Sequence, residues 1–96
     1  MSELIEPVKL SNQIRYYRKK KNLRIKDVAL LLEIASPSHI AHWEKGRKAP
    51  NLTNALKLSA ALGCPVEVLF FDHFLEIRKC IAIRRKKYNI NTLFYN

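Results

Sequence analysis

Glycine is scarce in this chain, whose 96 residues include only two glycines together with four prolines. So few backbone breakers leave room for long regular elements, and two glycines are too few for a glycine-rich loop that cradles a phosphate. The longest apolar runs, 28–32 and 68–71, are far too short to cross a bilayer. The first residues lack the basic-then-apolar layout of a signal peptide. We therefore expect a cytoplasmic protein without a membrane partner.

Clusters of chemically active side chains are equally sparse. The two cysteines, Cys64 and Cys80, have no paired spacing and are interpreted as free thiols. His39 and His42 are three residues apart, but no third ligand is spaced to complete a metal site with them. The sequence shows no Ser-His-Asp set and no carboxylate pair placed for catalysis. We expect a protein that is not an enzyme and that binds no metal or cofactor.

Acidic residues are few, and this imbalance is the most informative feature of the composition. Eight Asp and Glu stand against 18 Lys and Arg, which gives a net charge of +10 and a pI near 10.0. Basic groups near phosphates release condensed counterions, so the excess favours a nucleic-acid partner. Charge alone leaves open a merely soluble basic surface, a ribosome binder or a membrane-surface binder. The basic residues cluster in three segments, 15–21, 45–48 and 84–87.

Capping residues divide the first half of the chain into three predicted helices. After a loose lead-in over 1–10, Ser11 is a candidate N-cap of the first helix, which Asn22 ends because asparagine tolerates a left-handed conformation. The second helix is predicted over 25–32 from its apolar spacing. Ser36 and Pro37 are the preferred N-cap and first residue of a third, short helix that Gly46 stops.

The second half contains three further predicted helices. The fourth begins at Asn51 or Thr53 and ends at Gly63, and a short fifth follows Pro65 to residue 70. A longer sixth helix from about Asp72 has an apolar stripe at a spacing near 3.5 residues, consisting of Phe74, Ile77, Ile81 and Tyr88. The tail, 90–95, is apolar without a helical pattern. We predict an all-α fold with a five-helix domain over 11–71 and a helical C-terminal extension over 72–96.

Two short helices joined by a tight connection, between a basic first helix and a Gly-x-x-x-Pro exit, describe a helix-turn-helix. Residues 12–70 resemble the phage-repressor (Cro/CI, XRE) helix-turn-helix family, most specifically in the segment 40–50. The chain has one residue more than the common family spacing between Leu32 and Glu44, and Ile25 stands where the family often has a glutamine that contacts the DNA backbone. The other residues that carry the resemblance are Ile14, Arg18, Leu23, Val28, Ala29, Leu56, Leu58, Leu62, Gly63, Val66 and Leu69.

The resemblance implies three groups of functional residues. The exposed face at the start of the third helix would read bases through Pro37, Ser38, His39 and His42. The DNA backbone would be contacted by Lys19, Lys45, Arg47 and Lys48. A structural ion pair would join the first helix to the end of the third, and it consists of Arg18 and Glu44.

The base-reading assignment has alternatives that the sequence leaves open. A serine hydroxyl and a histidine N–H can both bond base edges in the major groove, which fits Ser38 and His42. Ser38 could instead serve only as a helix-capping partner, and His42 could simply face solvent. Trp43 occupies an apolar position of the family, so we expect it in the core and not stacked on a base.

These features together predict a sequence-specific transcription regulator, a repressor that binds double-stranded DNA through the helix over 37–45. One rival is an antitoxin-type regulator whose residues 72–96 grip a partner protein, and another is an adaptor that uses the fold for protein contacts. RNA binding is less favoured because the aromatic residues form no stacking platform. The apolar surface of the extension predicts a homodimer, with an intramolecular clamp as the alternative.

Overall fold

The computed structural model describes residues 12–90, and this part of the chain contains six helices and no strand. The all-helical prediction is confirmed. The lead-in over 1–10, the cap assigned to Ser11 and the tail beyond residue 90 lie outside the described residues. The helices are α1 (Ile14–Lys20), α2 (Ile25–Leu32), α3 (Pro37–Glu44), α4 (Leu52–Leu62), α5 (Val66–Leu69) and α6 (Phe71–Lys87).

Polar side chains fix where the helices begin. The Ser36 hydroxyl accepts a hydrogen bond from the Ser38 N–H at 3.3 Å, and the Asn51 side chain accepts one from the Asn54 N–H at 2.8 Å. At the start of α2, the Asp27 carboxylate accepts from the backbone N–H of Arg24 at 2.7 Å and from its guanidinium. These bonds from the Arg24 side chain and then from its backbone hold the pKa of Asp27 below its ordinary value. The predicted caps of α3 and α4 are confirmed.

Left-handed residues fix where the helices end. Asn22 and Gly63 adopt positive φ angles of 58° and 63°, as their sequence positions predict. Glu33 also adopts one, of 57°, directly after α2. No glycine or asparagine marks this position, so it could not be predicted from the residue type. The chain then crosses from α2 to α3 through residues 33–36, which lie in the interval between Leu32 and Glu44 that is one residue longer than the common family spacing.

The core lies between α1, α2, α3, α4 and α5. Its fully buried side chains lie at positions that carry the family resemblance, and they include Ile14, Val28, Leu32, Ile40, Leu58, Leu62 and Leu69. Leu56 departs from this pattern, because it occupies an apolar position of the resembled family yet is 54% exposed. Of the two cysteines, Cys64 is buried in the core and Cys80 is exposed on α6, and both are free thiols.

Helix α6 extends away from this core. It begins at Phe71, one residue before the predicted start, and has no buried residue along its 17 positions. It packs mainly against α5, and the described chain is elongated, measuring 47 × 33 × 20 Å. The predicted apolar stripe on α6 is therefore exposed, so an intramolecular clamp is not formed by residues 12–90. No helix among these residues is long and apolar enough to span a membrane.

Candidate nucleic-acid interface

Helix α3 has one face in the core and one face in solvent. Ile40 and Trp43 point inward, where they are 0% and 6% exposed, and they pack α3 against α1 and α2. On the other side Pro37, Ser38 and His39 are exposed, and His42 is half-buried. Of the four side chains expected to read bases, Ser38 and His42 lie on the outer face of the helix, and Pro37 and His39 lie to either side of them. A short helix held on its inner side by a buried core can present such a face in a fixed orientation.

Ser38 is also part of the helix cap. Its hydroxyl lies 2.7 Å from the hydroxyl of Ser36, and its backbone N–H donates to the same Ser36 oxygen. The capping role left open by the sequence is therefore present in the structure. It does not remove Ser38 from the outer face, since a hydroxyl that donates to Ser36 still has lone pairs for a base edge.

The two histidines of α3 have different surroundings. The His39 ring centroid lies 6.4 Å from that of Trp43, with the two planes tilted by 43°. His42 is one turn from Ser38 on the same face, as i, i+4 spacing requires. Among the described residues, no group of three or more His, Cys, Asp or Glu side chains could hold a metal ion. The hydroxyl of Ser38 and the imidazoles of His39 and His42 can each donate or accept hydrogen bonds.

A tight turn at Gly46 carries the chain out of α3. Gly46 has a φ of 72°, and the N–H of Arg47 donates to the carbonyl of His42 at 3.0 Å, which closes the helix end. A side chain at this left-handed position would be strained by about 1 kcal/mol or more. The turn leaves Lys45, Arg47 and Lys48 exposed directly beside the end of α3. Three cations without an intervening acid are suited to contact phosphates.

The Arg18 guanidinium and the Glu44 carboxylate form a two-point ion pair between α1 and α3. The Arg18 Nε lies 2.5 Å from Oε2 of Glu44, and a second guanidinium nitrogen lies 3.2 Å from Oε1. The third guanidinium nitrogen donates to the carbonyl of Leu23 at 2.8 Å. Both side chains are almost fully buried, at 9% and 5% exposure. All three guanidinium nitrogens are thus bonded within the protein, whereas the neighbouring Lys19 on α1 is exposed.

Asn12 contributes a contact that sequence reasoning missed. Its side-chain amide donates to the carbonyl of Trp43 at 2.8 Å, and its oxygen accepts from the N–H of Ile14 at 3.1 Å. One side chain therefore holds the start of α1 against the end of α3. The available signal was the asparagine itself, a preferred residue at a helix start. Its distant partner could not be read from local sequence.

Comparison with known proteins identifies the architecture. The helix-turn-helix family matches residues 14–69, which include α1 to α5 and the α2–α3 unit with its outer face. The chain belongs to this helix-turn-helix family. Its match ends where α5 ends, so α6 lies beyond the shared part. A comparison with curated protein sequences finds no match.

A solved structure has the same fold as this helix-turn-helix protein. The restriction-modification controller protein C.AhdI from Aeromonas hydrophila is 31% identical, with a TM-score of 0.55. The alignment covers 60% of this chain and 86% of C.AhdI. Together, the family and this neighbour support a DNA-binding transcription regulator.

Ile25 is a residue at which the chain departs from the family pattern. It is half-buried at the start of α2 and packs against the core. The apolar side chain of Ile25 has no hydrogen-bond donor. It therefore cannot make the hydrogen bond to a DNA phosphate that a glutamine could make at this position.

Proposed function

We propose that this helix-turn-helix protein is a cytoplasmic, sequence-specific repressor that places α3 in the major groove of double-stranded DNA. Pro37, Ser38, His39 and His42 would face the base edges, with phosphates held by Lys19, Lys45, Arg47 and Lys48. Occupying a promoter in this way would exclude other proteins from the same DNA. The observation that carries the proposal is the polar outer face of α3, which ends in the three exposed cations around Gly46.

Phosphate contacts and base contacts have different effects on binding, and their placement on this protein supports sequence-specific binding. Phosphate contacts give affinity and position, while side chains at base edges discriminate between sequences. Here the cations lie at the end of α3 and on α1, whereas the outer face of α3 itself has serine and histidine. Neutral or weakly basic donors on that face gain more from the correct base than from a phosphate. The arrangement therefore favours a specific binder over a general polyanion binder.

Selection from a random pool of duplex DNA tests this proposal directly. Run at about 50 mM and 200 mM salt, a specific binder should enrich one motif under both conditions, because the base contacts persist when phosphate contacts weaken. A promoter that contains the selected site should then lose transcription when the protein is added. Failure to enrich any motif would refute specific reading, and increased transcription would refute repression.

His42→Ala is expected to reduce discrimination between the selected site and its single-base variants by about 1–3 kcal/mol at the affected position. The reason is the place of His42 on the outer face, one turn beyond Ser38. Binding to random DNA should change little, since no phosphate contact is removed. Fluorescence anisotropy with matched duplexes measures both quantities. Equal losses on specific and random DNA would show that His42 contacts only the backbone.

Arg47→Ala is expected to weaken binding to all sequences and to make the dependence of log K on log salt shallower by about one unit. Arg47 follows the Gly46 turn and is exposed beside the end of α3. Lys79→Ala is a matched control, because Lys79 is an exposed cation beside Glu76 on the side of α6 that faces away from the apolar stripe. An Arg47 variant whose salt slope equals that of the wild type would rule out a phosphate contact.

We also propose that the protein binds DNA as a homodimer, since helix-turn-helix dimers occupy two half-sites about one helical turn apart. The exposed apolar face of α6 supports a protein partner of some kind. The same face supports a second candidate function, in which residues 72–96 hold a different protein, as in an antitoxin. A stable complex with the product of a neighbouring gene, at the expense of self-association, would favour that candidate.

A further inference from the structure

The apolar face of α6 continues into a groove at the base of the helix. Phe74 and Ile77 belong both to the stripe on α6 and to the wall of this groove, which has a volume of about 570 Å³. The opposite wall comes from the five-helix domain, through Ala55, Val66 and Pro50. The stripe then runs along the free length of α6 through Ile81 to Tyr88, both exposed. A helix laid along this surface would contact the stripe and fill the groove at one end.

The charges of α6 specify the direction in which a second α6 could lie there. Its first turns contain Asp72 and Glu76, and its last turn contains four consecutive cations, 84–87. A parallel pair would bring the two sets of four cations side by side, which is repulsive. An antiparallel pair instead keeps the two sets of cations apart and places each beside the groove of the other chain. Glu67, on the rim of that groove, supplies a negative charge there, whereas Asp72 and Glu76 point away from the stripe.

The apolar pattern specifies the register. Pairing Ile77 with the partner's Ile81 places the two-fold axis near Lys79. Tyr88 and Phe70 are both nine residues from this centre, or roughly 13 Å along a helix, so Tyr88 lies opposite the partner's Phe70. Phe70 lines the groove, which has room for an aromatic ring. The same register places Arg84 opposite the partner's Phe74, where it can reach the partner's Glu67.

We propose that two copies of this chain associate through an antiparallel pair of α6 helices, each inserting Tyr88 into the groove of its partner. This deepens the proposed homodimer and depends on it, but not on DNA binding. In this arrangement the groove of each chain is filled by Tyr88 of the other chain. The free thiol of Cys80 is exposed on α6 and lies one residue from the axis, so the two copies of Cys80 would approach each other.

The test uses the full chain without DNA, so that its failure is separate from failure to bind DNA. Light scattering at micromolar concentration should give a dimer for the wild type. Ile81→Asp and Tyr88→Ala should each weaken association at least tenfold. Ile83→Asp is the matched control, because Ile83 is exposed on the opposite side of the same helix and should leave the dimer unchanged. Circular dichroism verifies that each variant is folded.

Cross-linking then fixes the orientation in a Cys80→Ser background. His73→Cys and Lys87→Cys lie at opposite ends of α6, on the same flank of the stripe. Mixed under mild oxidation, the two single variants should form 73–87 disulfides between chains. Disulfides joining 73 to 73 and 87 to 87 would overturn the antiparallel arrangement. A monomeric wild type, or an Ile83→Asp variant that dissociates as readily as Ile81→Asp, would overturn the proposed surface itself.

Discussion

Replacing Glu44 with alanine is expected to destabilise the helix-turn-helix domain by about 3–5 kcal/mol, because the substitution leaves the buried Arg18 guanidinium without its counter-charge. The pair is bidentate and both side chains are almost fully buried. The remaining bond from Arg18 to the Leu23 carbonyl does not neutralise the charge. Since α1 and α3 are joined at this point, the loss should also loosen the position of α3.

Thermal unfolding measures this effect. In a domain of this size, 1 kcal/mol corresponds to roughly 4–8 °C, so the melting temperature should fall by at least about 12 °C. The double variant Arg18→Met with Glu44→Leu is the control, because removing both charges abolishes the stranded cation and should recover most of the stability. A Glu44→Ala variant that melts like the wild type would mean that the pair contributes nothing to folding.

Trp43→Ala is expected to cost about 3–5 kcal/mol of unfolding free energy, the range found when a large buried aromatic side chain is truncated. Trp43 lies in the core on the inner face of α3, and its carbonyl accepts the hydrogen bond from Asn12. The indole is therefore a packing element, and the loss of DNA binding in this variant should follow from the loss of structure. Urea denaturation, followed by circular dichroism, measures the change.

Trp43→Phe distinguishes packing from stacking on DNA. A phenyl ring keeps most of the buried apolar surface, so this variant should stay folded and should bind the selected DNA site within a few-fold of the wild type. The single tryptophan also provides a direct readout, since its fluorescence should shift to longer wavelength on unfolding but stay nearly constant on adding DNA. A Trp43→Phe variant that is folded but no longer binds DNA would contradict the core assignment.

Local chemistry made much of the fold predictable. Ser36 and Asn51 were recognisable as caps because their short side chains satisfy backbone donors only at a helix start. Gly63 and Asn22 were recognisable as helix ends because they accept a left-handed backbone at low cost. In each case the residue and its backbone partner lie within a few positions of each other. The five-helix domain was also predictable from its resemblance to a family with well-spaced apolar positions.

The features that escaped prediction depend on tertiary structure. Glu33 adopts a left-handed conformation although its side chain disfavours it, so the packing of α2 against α3 and α4 overrides local preference. The bond from Asn12 to the Trp43 carbonyl joins residues 31 positions apart. The groove beside α6 brings Pro50 and Ile77 to the same cavity. The stripe on α6 was visible in the sequence, but its exposure became evident only from the orientation of the helix.

We expect the outer face of α3 to read DNA sequence, and the ratio of two dissociation constants measures whether it does. The dissociation constant for the selected site is compared with that for a shuffled duplex, at fixed salt, for the wild type and for a variant with alanine at Ser38, His39 and His42. The wild-type ratio should be on the order of 10³ or more, and the variant should lose most of it while its affinity for shuffled DNA changes little. A variant that is folded and keeps the wild-type ratio would show that sequence is read elsewhere on the protein.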